Sequence, residues 1–257
     1  MLADLVEGAR LDAEQRSQSV SYEDLLERIR LQAPVKRNSR LRDRPFGHGL
    51  IAEIKRRSPS KGHLADIPDP VALAKAYEAG GATAISVLTE SRKFGGSLED
   101  LEAVARAVSI PVLRKDFVTS SYQVAEARAF GADLVLLILA SLDDELAASL
   151  LEEVRSFGMT ALVETHSEEE VRRAVALGAD VIGVNARDLA TFELDKGLFA
   201  RLRHLIPSDS IAIAESAVVN AEDVAVYRDQ GADLVLVGEA LVTGDSPEER
   251  VKEFLSI

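Results

Sequence analysis

The sequence contains no cysteine among its 257 residues. Disulfide bonds, thiolate metal sites and thiol nucleophiles are therefore excluded, because each of them needs a cysteine sulfur. Histidine is also scarce, and its four positions do not have the spacing of ligands in a metal site. We interpret these histidines as surface or loop residues, so the sequence predicts no metal site. They are His48, His63, His166 and His204.

Long hydrophobic runs are missing as well. The longest, from Leu134 to Ala140, is far shorter than the roughly 20 apolar residues that a transmembrane helix needs. The first residues of the chain lack the basic region and the apolar run of a signal peptide. We therefore expect a cytoplasmic protein that does not bind membranes.

Positively charged residues are fewer than negatively charged ones. The chain has 30 Lys and Arg residues and 43 Asp and Glu residues, which gives a formal net charge of −13. Such an acidic chain argues against a nucleic acid or an anionic membrane as the partner. Any anionic ligand must be held by a local group of donors. Hydrophobic residues make up 47% of the chain, which is enough for a sizeable core.

A repeat divides the chain from residue 51 onward. Gly81, Gly131, Gly178 and Gly231, each followed by alanine, recur about every 50 residues between a helical pattern and an apolar run. Four further apolar runs lie midway between these. The sequence therefore predicts eight strands separated by helix-length amphipathic segments, at residues 51–54, 84–88, 111–113, 134–139, 160–163, 181–184, 211–214 and 234–237.

The predicted strands are apolar throughout, as expected where both faces of a sheet are buried. Helix signals lie between them: Ser167 followed by Glu170 matches a capping box, Ser246 precedes Pro247, and each repeat glycine is placed to end a helix. Eight such units predict a (β/α)8 TIM barrel. An open, doubly wound sheet is the alternative, although no dinucleotide fingerprint follows any strand.

We expect residues 1–257 to form a single (β/α)8 barrel domain, with residues 1–48 as a helical N-terminal extension packed on the barrel. Leu2, Leu5 and Ala9 recur at helical spacing, and Ser21 marks a second helix start. The extension is thus interpreted as one or two amphipathic helices, with disorder as the other possibility.

The stretch 51–62 organises the candidate site. Glu53 and Lys55 are two residues apart on a strand, so their side chains point to the same face. A buried acid and base are costly unless they pair or meet a charged ligand. The loop that follows is rich in serine, lysine and glycine, which provide donors for an anion. A solvated charge pair on an edge strand is the alternative interpretation.

Active sites of barrels gather at the carboxyl ends of the strands. The residues that end the predicted strands are charged or polar, which favours a site over a mere rim of solvated groups. Those we place in it are Glu53, Lys55, Lys115, Glu164, Asn185, Arg187, Glu215, Ser216, Gly238 and Glu239.

The ends of the seventh and eighth predicted strands suit a phosphate group. Barrels commonly hold phosphate there on backbone N–H groups. Ser216 and Ala217 end one strand and Gly238 ends the other, while Ser58 closes the corner from the first strand. Two aromatic residues, Phe94 and Phe117, follow strand ends in polar loops, and we expect both to line the pocket.

Several motifs follow one another in a fixed order: EIKRRSPSKG at 53–62, SVLTE at 86–90, FGGS at 94–97, PVLRKDF at 111–117, GVNARDL at 183–189 and AES at 214–216. With these motifs the sequence resembles the indole-3-glycerol phosphate synthase family over essentially the whole chain, including the N-terminal extension. One position departs from the family pattern, which usually has glycine after Glu-Ser, where this chain has Ala217.

The resemblance implies a reaction in which an indole ring closes on 1-(2-carboxyphenylamino)-1-deoxyribulose 5-phosphate with loss of carbon dioxide and water, in tryptophan biosynthesis. It implies no metal or redox cofactor and a phosphorylated small molecule as the partner. We also expect a monomer. Lys115 would be the general acid, and burial together with Lys55 as a second cation is expected to lower its pKa.

The other roles also follow from the resemblance. Glu164 and Asn185 would stabilise and orient the cationic intermediate, Glu53 and Lys55 would pair with each other and with substrate, and one of the rim groups would complete the dehydration. The base of that last step is left open.

The role of Arg187 is predicted from its position two residues after Asn185. There a guanidinium group can reach the carboxylate that leaves as carbon dioxide, and a structural ion pair with Asp188 or Glu193 is the alternative.

Two other functions remain open at this point. A Schiff-base aldolase would use a strand-end lysine as nucleophile. A catalytically silent barrel would bind a phosphorylated metabolite, but would be expected to have an incomplete charged rim. A phosphoribosylanthranilate isomerase would call for a cysteine, which this chain lacks.

Overall fold

The computed structural model of the protein describes residues 2–36, 39–43, 48–189, 191–243 and 246–257. Eight parallel strands close into a barrel, which confirms the predicted (β/α)8 TIM barrel and excludes the open sheet. The barrel strands are β1 (Gly49–Ile54), β4 (Ala84–Leu88), β5 (Val112–Lys115), β6 (Leu134–Ile138), β7 (Thr160–Thr165), β8 (Val181–Asn185), β9 (Ile211–Glu215) and β10 (Leu234–Val237).

A short antiparallel hairpin, β2 (Arg57–Ser58) and β3 (Gly62–His63), follows the first barrel strand. Within the described ranges no helix is long and apolar enough to cross a membrane. The helices are α1 (Leu2–Ser17), α2 (Tyr22–Leu31), α3 (Ser39–Arg42), α4 (Pro70–Ala79), α5 (Leu98–Ala107), α6 (Ser121–Ala129), α7 (Asp144–Ser156), α8 (Glu168–Ala176), α9 (Leu198–Leu202), α10 (Ala221–Asp229), α11 (Glu239–Val242) and α12 (Pro247–Leu255).

The apolar strands are buried on both faces. In β6, Leu134, Leu136 and Ile138 point into the barrel, whereas Val135 and Leu137 pack against the helices outside it. This alternation follows from strand geometry, and it explains why the strands read as continuous apolar runs in the sequence.

The repeat glycines end helices as expected. Gly81, Gly131, Gly178 and Gly231 all have positive φ, between 72° and 101°, which only glycine adopts without a steric cost. Each of these turns sends the chain into the next barrel strand, so the glycine repeat marks every second strand.

The capping prediction at Ser167 is only partly right. The Ser167 side chain does accept a hydrogen bond from the Glu170 N–H and starts α8. Glu170, however, accepts from the backbone N–H of His166 at 2.8 Å, one residue further back than a capping box requires. The structure thus ties Glu170 to His166.

The N-terminal helices pack on the barrel. Leu5 and Ala9 of α1 join the cluster inside the barrel, and Leu25 of α2 packs against α6. Arg16 donates two hydrogen bonds to Glu126 of α6, at 2.6 and 2.9 Å. The basic stretch at 36–44 lies partly outside the described residues, and its described part includes α3.

Candidate active site

A cavity of about 430 Å³ opens at the carboxyl ends of the barrel strands. Its size is that of pockets for small molecules. The structure brings all the predicted site residues to its wall: Glu53, Lys55, Ser58, Phe94, Lys115, Phe117, Glu164, Asn185, Arg187, Glu215, Ser216, Ala217, Gly238 and Glu239.

Several barrel strands extend beyond their apolar residues to include charged or polar ones. The sequence predicted strand ends at the last apolar residue, but β5 continues to Lys115, β7 past Glu164, β8 to Asn185 and β9 to Glu215. Because alternate side chains of a strand share a face, these groups lie above the interior apolar layer. The barrel thus forms a ring of polar side chains at the cavity floor.

Lys115 is the centre of this ring. Its Nζ donates to Glu164 Oε2 and to Glu215 Oε2, both at 2.7 Å. Both carboxylate side chains are only 2% exposed, so water screens these interactions little. The arrangement holds an ammonium group between two carboxyl groups at the base of the cavity.

The expected lowering of the Lys115 pKa is wrong for the free enzyme. Burial by itself lowers the pKa of Lys115, but attraction by Glu164 and Glu215 outweighs burial and raises the pKa above its ordinary value. Lys55, proposed as the second cation, instead pairs with Glu53 at 2.5 Å. Lys115 is therefore protonated at neutral pH and has a proton to donate. The two neighbouring carboxyl groups make it a weaker acid than an ordinary lysine.

The two carboxyl groups beside Lys115 differ in charge. Burial raises the pKa of Glu164, but attraction by Lys115 and by His166 holds that pKa well below its usual value. Burial raises the pKa of Glu215 to about 8, with Lys115 opposing the increase. At neutral pH the site therefore contains an ionised Glu164 and a largely protonated Glu215, a pairing typical of acid and base groups with separate roles.

Two glycines make room for the carboxyl groups. A Cβ on Gly183 of β8 would overlap Glu215 Oε1, and a Cβ on Gly238 would overlap Glu53 Oε1. The carboxyl groups of Glu215 and Glu53 therefore lie directly against the backbone of Gly183 and Gly238. Glycine is therefore required at these positions by close approach rather than by backbone conformation.

Asn185 links the ring to its neighbours. Its Nδ2 donates to Glu164 Oε1 at 3.1 Å, and its Oδ1 accepts from Ser216 Oγ at 2.8 Å. The same Oδ1 accepts from the backbone N–H of Arg187 at 3.0 Å. With these partners the amide orientation is fixed, and Asn185 connects Glu164 to the predicted phosphate corner.

Arg187 lies at the rim, next to the hairpin that follows β1. Its Nη1 donates to the carbonyl of Phe192 at 3.3 Å and reaches Ser60 Oγ at 3.5 Å. On the other side of the hairpin, Lys61 pairs with Glu239 at the start of α11. The hairpin is thus tied to two sides of the cavity mouth.

The apolar wall of the cavity is aromatic. The rings of Phe94 and Phe117 are tilted, with centroids 6.2 Å apart. Glu90 accepts hydrogen bonds from the backbone N–H groups of Lys93 and Phe94, at 2.7 and 2.8 Å, which fixes the loop that carries Phe94. Leu5 of α1 also lines the cavity. This wall provides a flat apolar surface for an aromatic ring.

The predicted phosphate corner has a strained backbone. Ser216 and Ala217 both have positive φ, 70° and 61°, a conformation that L-residues adopt at a cost. Lys55 and Gly238 line the cavity at the same corner. Strain of this kind is found at ligand sites, where the surrounding structure enforces it.

Ala217→Gly should stabilise the protein. A left-handed conformation costs an L-residue roughly 1–2 kcal/mol, and the greater chain entropy of glycine takes back part of the gain, so we expect an increase in unfolding free energy of about 1 kcal/mol. Urea denaturation measures it. As a control, Ala148→Gly in the exposed middle of α7 should destabilise by about 1 kcal/mol. A loss of stability in Ala217→Gly would contradict the assignment of strain.

Sequence reasoning missed several wall residues. Leu5 was assigned to a helix, but nothing in its spacing indicates that the helix covers the cavity. Phe192 and Leu194 lie in an irregular segment after β8. Sequence reasoning also missed a residue behind the wall. His166 was interpreted as a surface or loop residue, yet its side chain is only 12% exposed. Its position directly after β7, two residues after Glu164, was the signal that could have placed it beside Glu164.

Among the described residues no group of three or more His, Asp or Glu side chains is arranged to hold a metal ion. The acidic side chains of the cavity are instead paired with lysine or, for Asp116, with Arg114. The arrangement can therefore donate and accept protons, and it can bind an anionic group at one corner and an aromatic ring at the other wall.

Comparison with known proteins points to one family. A family model described as indole-3-glycerol phosphate synthase matches residues 2–254. A relative of that name from Nocardioides sp. is 53% identical over 257 residues, covering 100% of this chain and 98% of the relative. Another, from Kineococcus radiotolerans, is 54% identical and covers 100% of this chain and 95% of the relative. A solved 3-hexulose-6-phosphate synthase, 18% identical, has a TM-score of 0.65 over 81% of this chain and 98% of that chain, which shows the fold alone.

Proposed function

The chain belongs to the indole-3-glycerol phosphate synthase family, carboxy-lyases of tryptophan biosynthesis, and from this premise we propose how its side chains carry out the reaction. The substrate is 1-(2-carboxyphenylamino)-1-deoxyribulose 5-phosphate. The observation that carries the proposal is the Lys115 ammonium group held 2.7 Å from both Glu164 and Glu215 at the floor of the cavity.

Ring closure is proposed to begin with Lys115. Its ammonium group donates a proton to the ketone oxygen of the ribulose chain while the aromatic carbon that bears the carboxylate attacks the ketone carbon. The carbon–carboxylate bond then breaks, carbon dioxide leaves, and its electron pair restores the aromatic ring. Glu164, ionised and oriented by Asn185, stabilises the positive charge that the ring carries between these steps.

Dehydration follows on the same intermediate. The new hydroxyl group leaves as water after protonation, and a base removes a proton from the neighbouring methylene carbon, which forms the indole double bond. We propose Glu53 and Lys55 for this step, because they are the other acid and base pair of the cavity wall. Glu215, protonated below about pH 8, contacts Lys115 and can return a proton to it.

Substrate binding is proposed to use two regions of the wall. The phosphate lies against the backbone N–H groups of Ser216, Ala217 and Gly238, with Ser58 and Glu239 at its edge. The aromatic ring packs against the rings of Phe94 and Phe117, whose centroids are 6.2 Å apart. Both regions line the cavity that contains Lys115, as a substrate with a phosphate at one end and an aromatic ring at the other requires.

The activity itself is tested by incubation of the protein with this substrate. We expect the rise of indole fluorescence together with release of one carbon dioxide per product. A Schiff-base aldolase is disfavoured, because the Lys115 nitrogen is protonated and paired with two carboxyl groups. Borohydride should therefore leave Lys115 unmodified in the presence of substrate. Covalent trapping without fluorescence would contradict the proposal.

Arg187 is proposed to hold the substrate carboxylate before it leaves. Its guanidinium group lies at the rim, and its contacts with described residues include two neutral oxygens, Ser60 Oγ and the carbonyl of Phe192. Arg187→Ala should weaken binding of a reduced substrate analogue by about 1.5 to 3 kcal/mol, the value of a charged hydrogen bond. Titration calorimetry measures it.

The analogue without the carboxylate provides the control. Its affinity should not change in Arg187→Ala, and Arg172→Ala, at an exposed position of α8, should change neither affinity. Equal weakening of both analogues would show that Arg187 supports the scaffold instead, for example through an ion pair with a neighbouring acid.

We further propose that residues 1–257 fold as one domain and that the protein acts as a cytoplasmic monomer without nucleic-acid or membrane partners. The large exposed apolar side chains of the described residues support this, because Leu31 lies on α2, Val219 in the loop after β9 and Val226 on α10, so they are spread over several segments. Light scattering should give the mass of one chain, 27.7 kDa. A dimer mass would contradict the monomer.

A further inference from the structure

His166 occupies a buried position behind the catalytic ring. It directly follows β7, and its side chain shares a face with that of Glu164, two residues earlier. Only 12% of the side chain is exposed. None of the roles proposed for the reaction uses this histidine.

The imidazole ring lies between two carboxylates. Nε2 is 3.2 Å from Glu164 Oε1, and Nδ1 is 3.2 Å from Glu170 Oε2. The same oxygen of Glu170 accepts from the His166 backbone N–H at 2.8 Å. Ser167 caps α8 through the Glu170 N–H, so Glu170 is fixed at the first turn of that helix.

This geometry selects one protonation form. A neutral imidazole would place a lone pair beside one of two buried carboxylates, whereas an imidazolium presents positive charge to both. Nδ1 is within hydrogen-bond distance of Glu170, and Nε2 lies at ion-pair distance from Glu164 without the alignment of a hydrogen bond. Burial lowers the pKa of His166, but its contacts with the carboxylates of Glu164 and Glu170 outweigh burial and raise the pKa to about 10. His166 is therefore charged at neutral pH.

Among the described residues, the charged groups in contact with the ring are Glu164 of β7 and Glu170 of α8. Lys115 of β5 lies on the far side of Glu164, and Asn185 of β8 is neutral. The neighbouring 3₁₀ turn, residues 139–141, contains no charged side chain.

We propose that His166 is a positioning residue of the reaction, an imidazolium held by Glu170 that fixes Glu164 Oε1 and so keeps Glu164 Oε2 directed at Lys115. The inference rests on the roles proposed above for Lys115 and Glu164. It gives those roles a supporting group on a different element, since α8 sets the position of Glu170.

The imidazolium matters most after Lys115 has given its proton to the substrate. At that moment the ammonium group no longer balances Glu164, and a buried carboxylate without a cation would tend to take up a proton. His166 remains charged and keeps Glu164 ionised. An ionised Glu164 can then face the positive charge of the intermediate.

His166→Gln tests the inference, with His204→Gln as the matched control at an exposed histidine. We expect kcat to fall about 10- to 100-fold in His166→Gln, as for loss of one charged hydrogen bond. KM and the affinity for a reduced analogue should stay within about twofold, because the ring does not contact the cavity. The acid limb of the kcat profile should move to higher pH, since Glu164 loses a neighbouring cation.

A measurement on the unmodified protein keeps the test independent of variant stability. Nitrogen NMR of ¹⁵N-histidine-labelled protein should show both ring nitrogens of His166 protonated at pH 7. A neutral ring, or His166→Gln with unchanged kcat and unchanged acid limb, would overturn the inference. If Glu164→Gln is inactive while His166→Gln is normal, only the His166 inference fails. If Glu164→Gln is active, the proposed role of Glu164 fails whatever the His166 result is.

Discussion

Lys115→Ala is expected to lower kcat by about 10² to 10⁴, the contribution of a general acid. Lys115 is the one cation that contacts both Glu164 and Glu215 among the described residues, so no neighbour is placed to take over its proton transfer. Steady-state indole fluorescence measures kcat, and titration with a reduced analogue measures binding, which should persist.

A second variant separates charge from proton donation. Lys115→Arg keeps a positive charge beside Glu164, but a guanidinium group does not give up its proton in this pH range. We therefore expect Lys115→Arg to be nearly as slow as Lys115→Ala while keeping more of the stability. Lys252→Ala, at an exposed position of α12, is the control and should be normal. Near-normal turnover in Lys115→Ala would refute the general-acid assignment.

Glu164→Gln is expected to lower kcat by about 10² to 10³, as for removal of one preorganised electrostatic group. The substitution keeps the shape and removes the charge, so KM should change less than kcat, because the positive charge develops only during the reaction. The matched control is Glu169→Gln, at an exposed position of α8. Stopped-flow measurement of a single turnover separates chemistry from product release.

The same variant should change the acidity of Lys115. Attraction by Glu164 raises the Lys115 pKa, so its removal lowers that pKa toward the ordinary value. Glu164→Gln would then turn over more slowly even though its Lys115 is a stronger acid than in the unmodified protein. A large rise in KM with an unchanged kcat would instead show that Glu164 only binds the substrate.

The fold could be predicted because its signals are local. Gly81, Gly131, Gly178 and Gly231 each end a helix by their own backbone conformation, and the apolar runs after them need no distant partner to be recognised. The ends of the strands were predicted less well. Lys115 and Glu215 belong to strands although both are ionisable, because they pair with each other at the cavity floor.

The electrostatics of the site could not be predicted in the same way. The direction of the Lys115 pKa depends on Glu164 and Glu215, which are 49 and 100 residues away in the sequence. Lys55 pairs with Glu53 as predicted, but the expected lowering of the Lys115 pKa fails because Glu164 and Glu215 raise that pKa. The sequence indicates which ionisable side chains lie at the same rim of the barrel. Whether the pKa of one of them is raised or lowered depends on which of the others it contacts, and the sequence does not give those contacts.

Because Leu5 lies in the cavity wall, the N-terminal helix α1 takes part in ligand binding. A molecule that fills the cavity adds contacts to Leu5, and α1 is held to the barrel by Arg16 and Glu126. Occupancy and docking of this helix are therefore thermodynamically linked. Such a coupling is reciprocal. The free energy by which a bound ligand stabilises the docked helix equals the free energy by which docking of the helix strengthens ligand binding.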